Sequence, residues 1–319
     1  MFRDNGALYG LPDQIGFRLL YYNKTAFDAR GLSYPRGDWT LDDLLHAAQQ
    51  LSFEDGGRTH YGFASRSWQP SALRYILDRF EAVAVRGKAE APQPNYTDPK
   101  VVAAVRFYAD LLRNYSPHAL IDGAVVNRDD GPNEAFYALL NAGQIGMWFD
   151  TILQPRGFLY SFDDSKPYEL GVAPPPLQPG TVSMKEIQAT GLYIAATTPH
   201  ATACWAWLTT LSRDLTHMHA AGRFPARRSL VESAAFRQQA RPGDREVYAA
   251  YRDALERMPP AHNEQAQLET FGPALDAYWL FQALERALHG EDVEQALAEA
   301  QAQTEAYVAC YQARQQWLV

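Results

Sequence analysis

Few residues in this chain are spaced for chemistry. His217-Met218-His219 places two imidazoles close together, but in a helical pattern residues two apart point to different faces and cannot share a metal ion. Asp42-Asp43, Asp129-Asp130 and Asp163-Asp164 are adjacent acids, whereas glycoside hydrolysis needs two carboxyls facing each other across a substrate. Asp42-Asp43 follows Thr40 at the start of a helical pattern, where acids complement the helix dipole. The other two pairs lie in turn-like sequence and read as solvated. The sequence contains no P-loop, no G-x-G-x-x-G after a strand, no G-x-S-x-G elbow and no H-E-x-x-H. No catalytic residue, metal ligand or cofactor is assigned. Aromatic residues make up 13% of the chain, with 18 Tyr and 7 Trp, and such rings either pack cores or line ligand clefts.

The elements that must carry these residues follow from periodicity. Aromatic-rich Phe17 to Tyr22 predicts a strand. Thr40 predicts an N-cap for a helix burying Leu41, Leu44, Leu45, Ala48 and Leu51. Leu73, Ile76, Leu77 and Phe80 mark another helical face, and residues 87–94 read as a surface loop. Asp98-Pro99 opens a helix in the favoured way, a capping side chain followed by proline in the first turn. A helix near residues 132–141, Gly143, and alternating Ile145, Met147 and Phe149 form one helix-glycine-strand unit. Strands are predicted at 170–173 and 192–196, then a helix capped by Thr198-Pro199 that buries Cys204, Trp205, Leu208 and Leu211. Helices are predicted over 229–240, 244–258, 273–289 and 291–317. Mixed strands and helices followed by helices alone give an α/β fold with a helical C-terminal section.

At 319 residues the chain has length for two compact bodies. A net charge of −8 offers no basic stripe for phosphates, so no nucleic-acid partner is expected. Cys204 and Cys310 specify neither a disulfide framework nor a metal site. No stretch reaches the ~20 apolar residues of a membrane span, and the first residues lack a signal-peptide core. Three Asn-x-Ser/Thr sequons, at Asn23, Asn95 and Asn114, are short enough to arise by chance.

Several stretches together resemble the extracytoplasmic solute-binding proteins of carbohydrate ABC importers, the group that includes maltose-binding and polyol-binding proteins. Leu8-Tyr9-Gly10-Leu11-Pro12, then Tyr21-Tyr22-Asn23-Lys24, Phe27, Gly31-Leu32 and Trp39-Thr40-Leu41-Asp42-Asp43-Leu44, resemble the segment in which such a chain crosses into its second lobe. Ala135-Phe136, Asn141-Ala142-Gly143-Gln144 and Met147-Trp148-Phe149-Asp150 are similar to the family's helix-glycine-strand unit. Gly171 to Pro176, Gly191 to Ile194, Ala203 to Leu208, Gly222 to Arg227, and the run through Ala283-Leu284, Gly290 and Ala296-Leu297 resemble the sections that follow.

The resemblance implies a periplasmic-binding-protein-like α/β fold of two hinge-connected lobes. It implies a complete C-terminal lobe and an N-terminal lobe mostly absent, either through truncation ahead of the Gly-Leu-Pro segment or in a degenerate relative of the family. Residues 12–188 would form the first part of the C-terminal lobe, 189–239 a return segment joining the N-terminal lobe, and 240–319 a helical section packing on the C-terminal lobe.

It also implies binding residues. A sugar offers an apolar C–H face and a rim of hydroxyls, so a site combines flat rings with short polar groups. The matching positions are Asp13, Gln14, Trp68, Trp148, Asp150, Thr151, Gln188, Thr190, Arg223, Tyr278 and Trp279. Alternation would turn Trp148 and Asp150 to the ligand and Met147 and Phe149 to the core. Trp68 could equally cover a local core, Tyr278 and Trp279 could be helix packing, and Arg223 could pair with a surface acid.

The implied function is non-enzymatic capture of a sugar or polyol for the transmembrane subunits of an ABC permease, in the periplasm or anchored outside the cytoplasmic membrane. A carbohydrate-active hydrolase and a truncated, non-binding product are the alternatives. Sheet edges left by a missing lobe would favour self-association.

Overall fold

The computed structural model describes residues 3–4, 7–64, 70–88, 91–117, 131–151, 167–176, 187–214, 224–239, 246, 248–250, 252 and 278–316. In chain order the elements are β1 (Arg3–Asp4), β2 (Ala7–Leu8), β3 (Leu11–Asn23), α1 (Lys24–Ala29), α2 (Leu41–Leu51), β4 (Phe53–Asp55), β5 (Arg58–His60) and α3 (Pro70–Arg79). Next come β6 (Val85–Lys88), β7 (Ala91–Pro94), α4 (Pro99–Tyr115), α5 (Gly131–Asn141), β8 (Met147–Thr151), β9 (Leu170–Ala173), β10 (Ile187–Leu192) and α6 (Ala201–Leu211). The last are β11 (Phe224–Pro225), α7 (Arg228–Val231), α8 (Ala234–Gln239), α9 (Tyr278–Leu288) and α10 (Val293–Gln316).

Strand β3 organises the molecule. Its residues 18–23 pair antiparallel with β8 and β9, and its residues 11–17 pair antiparallel with β10 and β11. A residue can ladder only once on each edge. Residues 20–22 are therefore flanked by β8 on one edge and β9 on the other, and residues 14–15 by β10 and β11.

The pleat sorts the side chains of this sheet into two cores. Leu20 and Tyr22 of β3, Met147 and Phe149 of β8, and Ala173 of β9 join one cluster with α2, α3, α4, α9 and α10. Leu19, Tyr21, Trp148 and Leu170 point the other way, into a second cluster with Phe136 and Leu140 of α5, Val231 of α7 and Phe236 of α8. Helices cover both faces, as a mixed α/β sheet requires.

The predicted starts of α2 and α4 are observed. Thr40 accepts from the Asp43 N–H while Asp43 Oδ2 accepts from the Thr40 N–H at 2.8 Å, a closed capping box. Asp98 accepts from the Lys100 N–H at 2.9 Å, with Pro99 opening α4. In α2 the buried residues include Ala47 rather than Leu45, which lies at the edge of the stripe.

Other expectations are corrected. Of the residues predicted as a loop at 87–94, 87–88 and 91–94 lie in strands β6 and β7, which pair antiparallel with Lys88 opposite Ala91; turn-rich composition does not prevent ladder pairing at a surface edge. The strand expected at 192–196 is β10 at Ile187–Leu192. Its ladder with β3 ends with Leu192 opposite Leu11, so the strand stops there. Helix α6 begins at Ala201, and none of its residues is buried. Cys204, Leu208 and Leu211 are half-buried, whereas Trp205 and Trp207 are 47% and 62% exposed. Among the described residues, no helix is long and apolar enough to cross a membrane.

Candidate ligand-binding site

Residues far apart in sequence meet on β3. Asp13 is buried, and its backbone carbonyl accepts from the Ala226 N–H at 2.9 Å. Gln14 stands in register with Thr190 on one edge and Pro225 on the other, and Gly16 stands opposite Gln188. The β10 register slips between Thr190 and Gly191, beside Pro12, which has no N–H to offer the ladder. Further along β3, Arg18 faces Thr151, Leu19 faces Asp150 and Tyr21 faces Trp148. Asp13, Gln14, Trp148, Asp150, Thr151, Gln188 and Thr190 are thus carried by one strand and its direct partners. Trp68 and Arg223 lie outside the described residues.

The alternation expected in β8 is present, but it does not leave Trp148 facing an open surface. Met147 and Phe149 enter one core and Trp148 enters the other, where it is fully buried. Its ring stacks on Tyr21 with centroids 5.9 Å apart and planes 15° from parallel. The physical reason is α5: Phe136 and Leu140 close that face of the sheet, so both sides of β8 are packed at this point.

Tyr278 and Trp279 sit on α9, which packs on α4 and α10. Tyr278 is 56% exposed, whereas Trp279 is half-buried against the larger core and lies 5.3 Å from the Tyr307 ring.

The exit of β3 is pinned by groups that the sequence did not single out for this role. Asn23 caps α1 by accepting from the Ala26 N–H, and its side chain donates to the Gly143 carbonyl. Gly143, at φ +72°, makes the turn between α5 and β8 that brings this carbonyl within reach. Lys24 then bridges Glu169 at 2.8 Å and Glu246 at 3.2 Å, tying segments 145 and 222 residues apart. Burial by itself would lower the Lys24 pKa, but the two carboxylates outweigh it and hold the ammonium above its ordinary value. Burial pushes the Tyr22 hydroxyl up to about 12. The signal available in sequence was Asn23-Lys24 directly after an aromatic strand, a cap position, but its long-range acids are invisible to any local pattern.

Strands β8 and β10 thus meet β3 on either side of the point where it changes partners. Among the described residues no three His, Cys, Asp or Glu side chains group as a metal ion would require.

The chain is similar in fold to several solved structures. UgpB from Mycobacterium tuberculosis, in complex with glycerophosphocholine, is 21% identical and superposes with a TM-score of 0.66 over 98% of this chain and 73% of that chain. An ABC transporter solute-binding protein from Agrobacterium radiobacter K84, in complex with ribitol, gives 22% identity and a TM-score of 0.63 over 96% of this chain and 73% of that one. The GacH receptor of Streptomyces glaucescens gives 19% identity and a TM-score of 0.64 over 96% and 72%. These likenesses establish the fold, that of two-lobe periplasmic binding proteins. No curated protein sequence matches the chain. The family model described as bacterial extracellular solute-binding protein matches residues 1–214, and this chain belongs to that family.

Proposed function

We propose that this chain binds a sugar or polyol without altering it and delivers it, outside the cytoplasm, to the transmembrane subunits of an ABC importer. The observation that carries the reading is strand β3, whose two halves pair with different strands; it supports a contact set of Asp13, Gln14, Asp150, Thr151, Gln188 and Thr190, all on β3 or its direct partners. A strand that changes partners is where one body can turn against another, and closure around a ligand is a hinge motion of this kind. Trp68, Arg223, Tyr278 and Trp279 complete the proposed contact set.

The proposed division follows the same strand. Residues 12–188 would form the first part of one lobe, 189–239 a return segment to the opposite half of β3, and 240–319 a section packing on the first lobe, of which α9 and α10 are described. In support, β10 and β11 ladder with residues 11–17 of β3. Self-association through strand edges accompanies this reading, with a dimer expected by light scattering at high protein concentration.

The test is thermal unfolding against ribitol, mannitol and maltose. Ligand at about a hundred times its dissociation constant should stabilise the chain by about 2.7 kcal/mol. Melting curves unmoved by every compound, or release of a chromophore from a nitrophenyl glycoside, would overturn it.

A further inference from the structure

A second concavity lies away from the β3 junction. It is formed by the connection between α1 and α2 and by the first turns of α2, encloses about 500 Å³, and is lined by Ser33, Arg36, Asp38, Trp39 and His46 above a floor at Ala47. That volume falls in the range of small-molecule sites, roughly 300–1,000 Å³. The pocket follows the exit of β3. Its lining residues, Gly31 to Ala47, are none of those that ladder with β3.

Local sequence explains the hollow. Gly31, at φ +65°, turns the chain out of α1, and a β-carbon added there would meet nothing within 4 Å. The Leu32 N–H returns to the Phe27 carbonyl at 3.0 Å, and Trp39 closes the loop by donating its N–H to the Arg36 carbonyl at 3.1 Å. Trp39 is half-buried. One side packs towards Phe27, with centroids 6.1 Å apart, and the rest lines the cavity. The ring is therefore held at a fixed angle.

The polar groups decide what such a ring can hold. Arg36 and Asp38 pair at 3.5 Å with side chains 72% and 73% exposed, so both heads remain open to a ligand. Asp43 also lines the cavity, but its carboxylate is engaged by Thr40. Two acids against one guanidinium and one imidazole give no net positive field, which disfavours an anion, and the Arg36 guanidinium beside Asp38 disfavours a cation. What remains is a neutral ligand with an apolar face for Trp39 and a rim of hydroxyls for the Arg36–Asp38 fork, Ser33 and His46.

We infer that this pocket is an accessory subsite for a single pyranose ring, separate from the site on β3. It rests on the reading of this chain as a sugar binder for its biological sense, but not for its chemistry. Binding should be weak, because the exposed fork buries little of the ligand.

The test is calorimetry and saturation-transfer NMR on the full chain with maltose, comparing the native chain with the R36A/D38A double variant and with S33W, which fills the mouth of the pocket. The substituted side chains are exposed, and melting curves check folding. Two classes of site are expected in the native chain. The weaker class should lose at least tenfold in affinity in R36A/D38A and vanish in S33W, while the tighter class is unchanged. A weak class that persists in both variants, or is missing from the native chain, overturns the subsite. Loss of the tighter class alone overturns the capture function and leaves the subsite standing.

Discussion

Tyr21 and Trp148 are direct partners across the β3–β8 ladder, and their rings stack with centroids 5.9 Å apart, both fully buried. The pair lies beneath α5 and links the sheet to the smaller core. Truncating Trp148 to alanine removes the largest side chain of that core, and the cavity should cost about 3–5 kcal/mol. Urea unfolding should show the midpoint fall at unchanged slope, with Trp148→Phe losing distinctly less.

Gly171 stands opposite Tyr22 in the β3–β9 ladder, and a β-carbon there would overlap the Tyr22 ring. That ring is held by Phe27 at 5.2 Å and Tyr34 at 5.6 Å, so it cannot simply swing away. Gly171→Ala should destabilise by about 1–3 kcal/mol through overpacking. Thermal unfolding of the variant measures it, and an unchanged melting temperature would contradict the packing described for Tyr22.

Asp98 caps α4, and the Lys100 N–H, with Asn95 and Arg86 beside it, holds its carboxyl below the ordinary value of 3.8. Asp98→Ala should cost about 1 kcal/mol at neutral pH. A carboxyl with a depressed folded value stabilises above its unfolded value and loses that contribution as pH falls through the folded one. The cost of the substitution should therefore shrink in acid, as urea titrations at pH 7 and pH 2.5 can show.

Lys24 carries the opposite sign. Its folded value lies above 10.5, so the bridge to Glu169 and Glu246 stabilises fully below that pH and is lost as pH rises through the folded value. The carboxylates are 70% and 43% exposed, which screens the pair and limits it to about 0.5–1 kcal/mol. In a Glu169→Gln/Glu246→Gln double variant, the decline in stability near pH 11 should flatten relative to the native chain.

Local chemistry alone determined much of this protein. The Thr40–Asp43 box, the Asp98-Pro99 start and the turn at Gly143 are each set by residues within four positions of one another, so they could be read without a fold. Alternation in Met147, Trp148 and Phe149 likewise fixed which side chains oppose which. Periodicity identifies an apolar face but does not say what will cover it. Alternation alone predicts Trp148 facing a ligand, yet α5 seals it, and the apolar spacing of α6 predicts a buried Trp205, which lies 47% exposed. Strand partners are also non-local. That β3 runs from Leu11 to Asn23 and serves two sets of strands, and that β10 ends at Leu192, depended on segments more than a hundred residues away. Hydrogen bonds that close such long loops are chosen by the packed whole, because no short stretch of chain contains both of their ends.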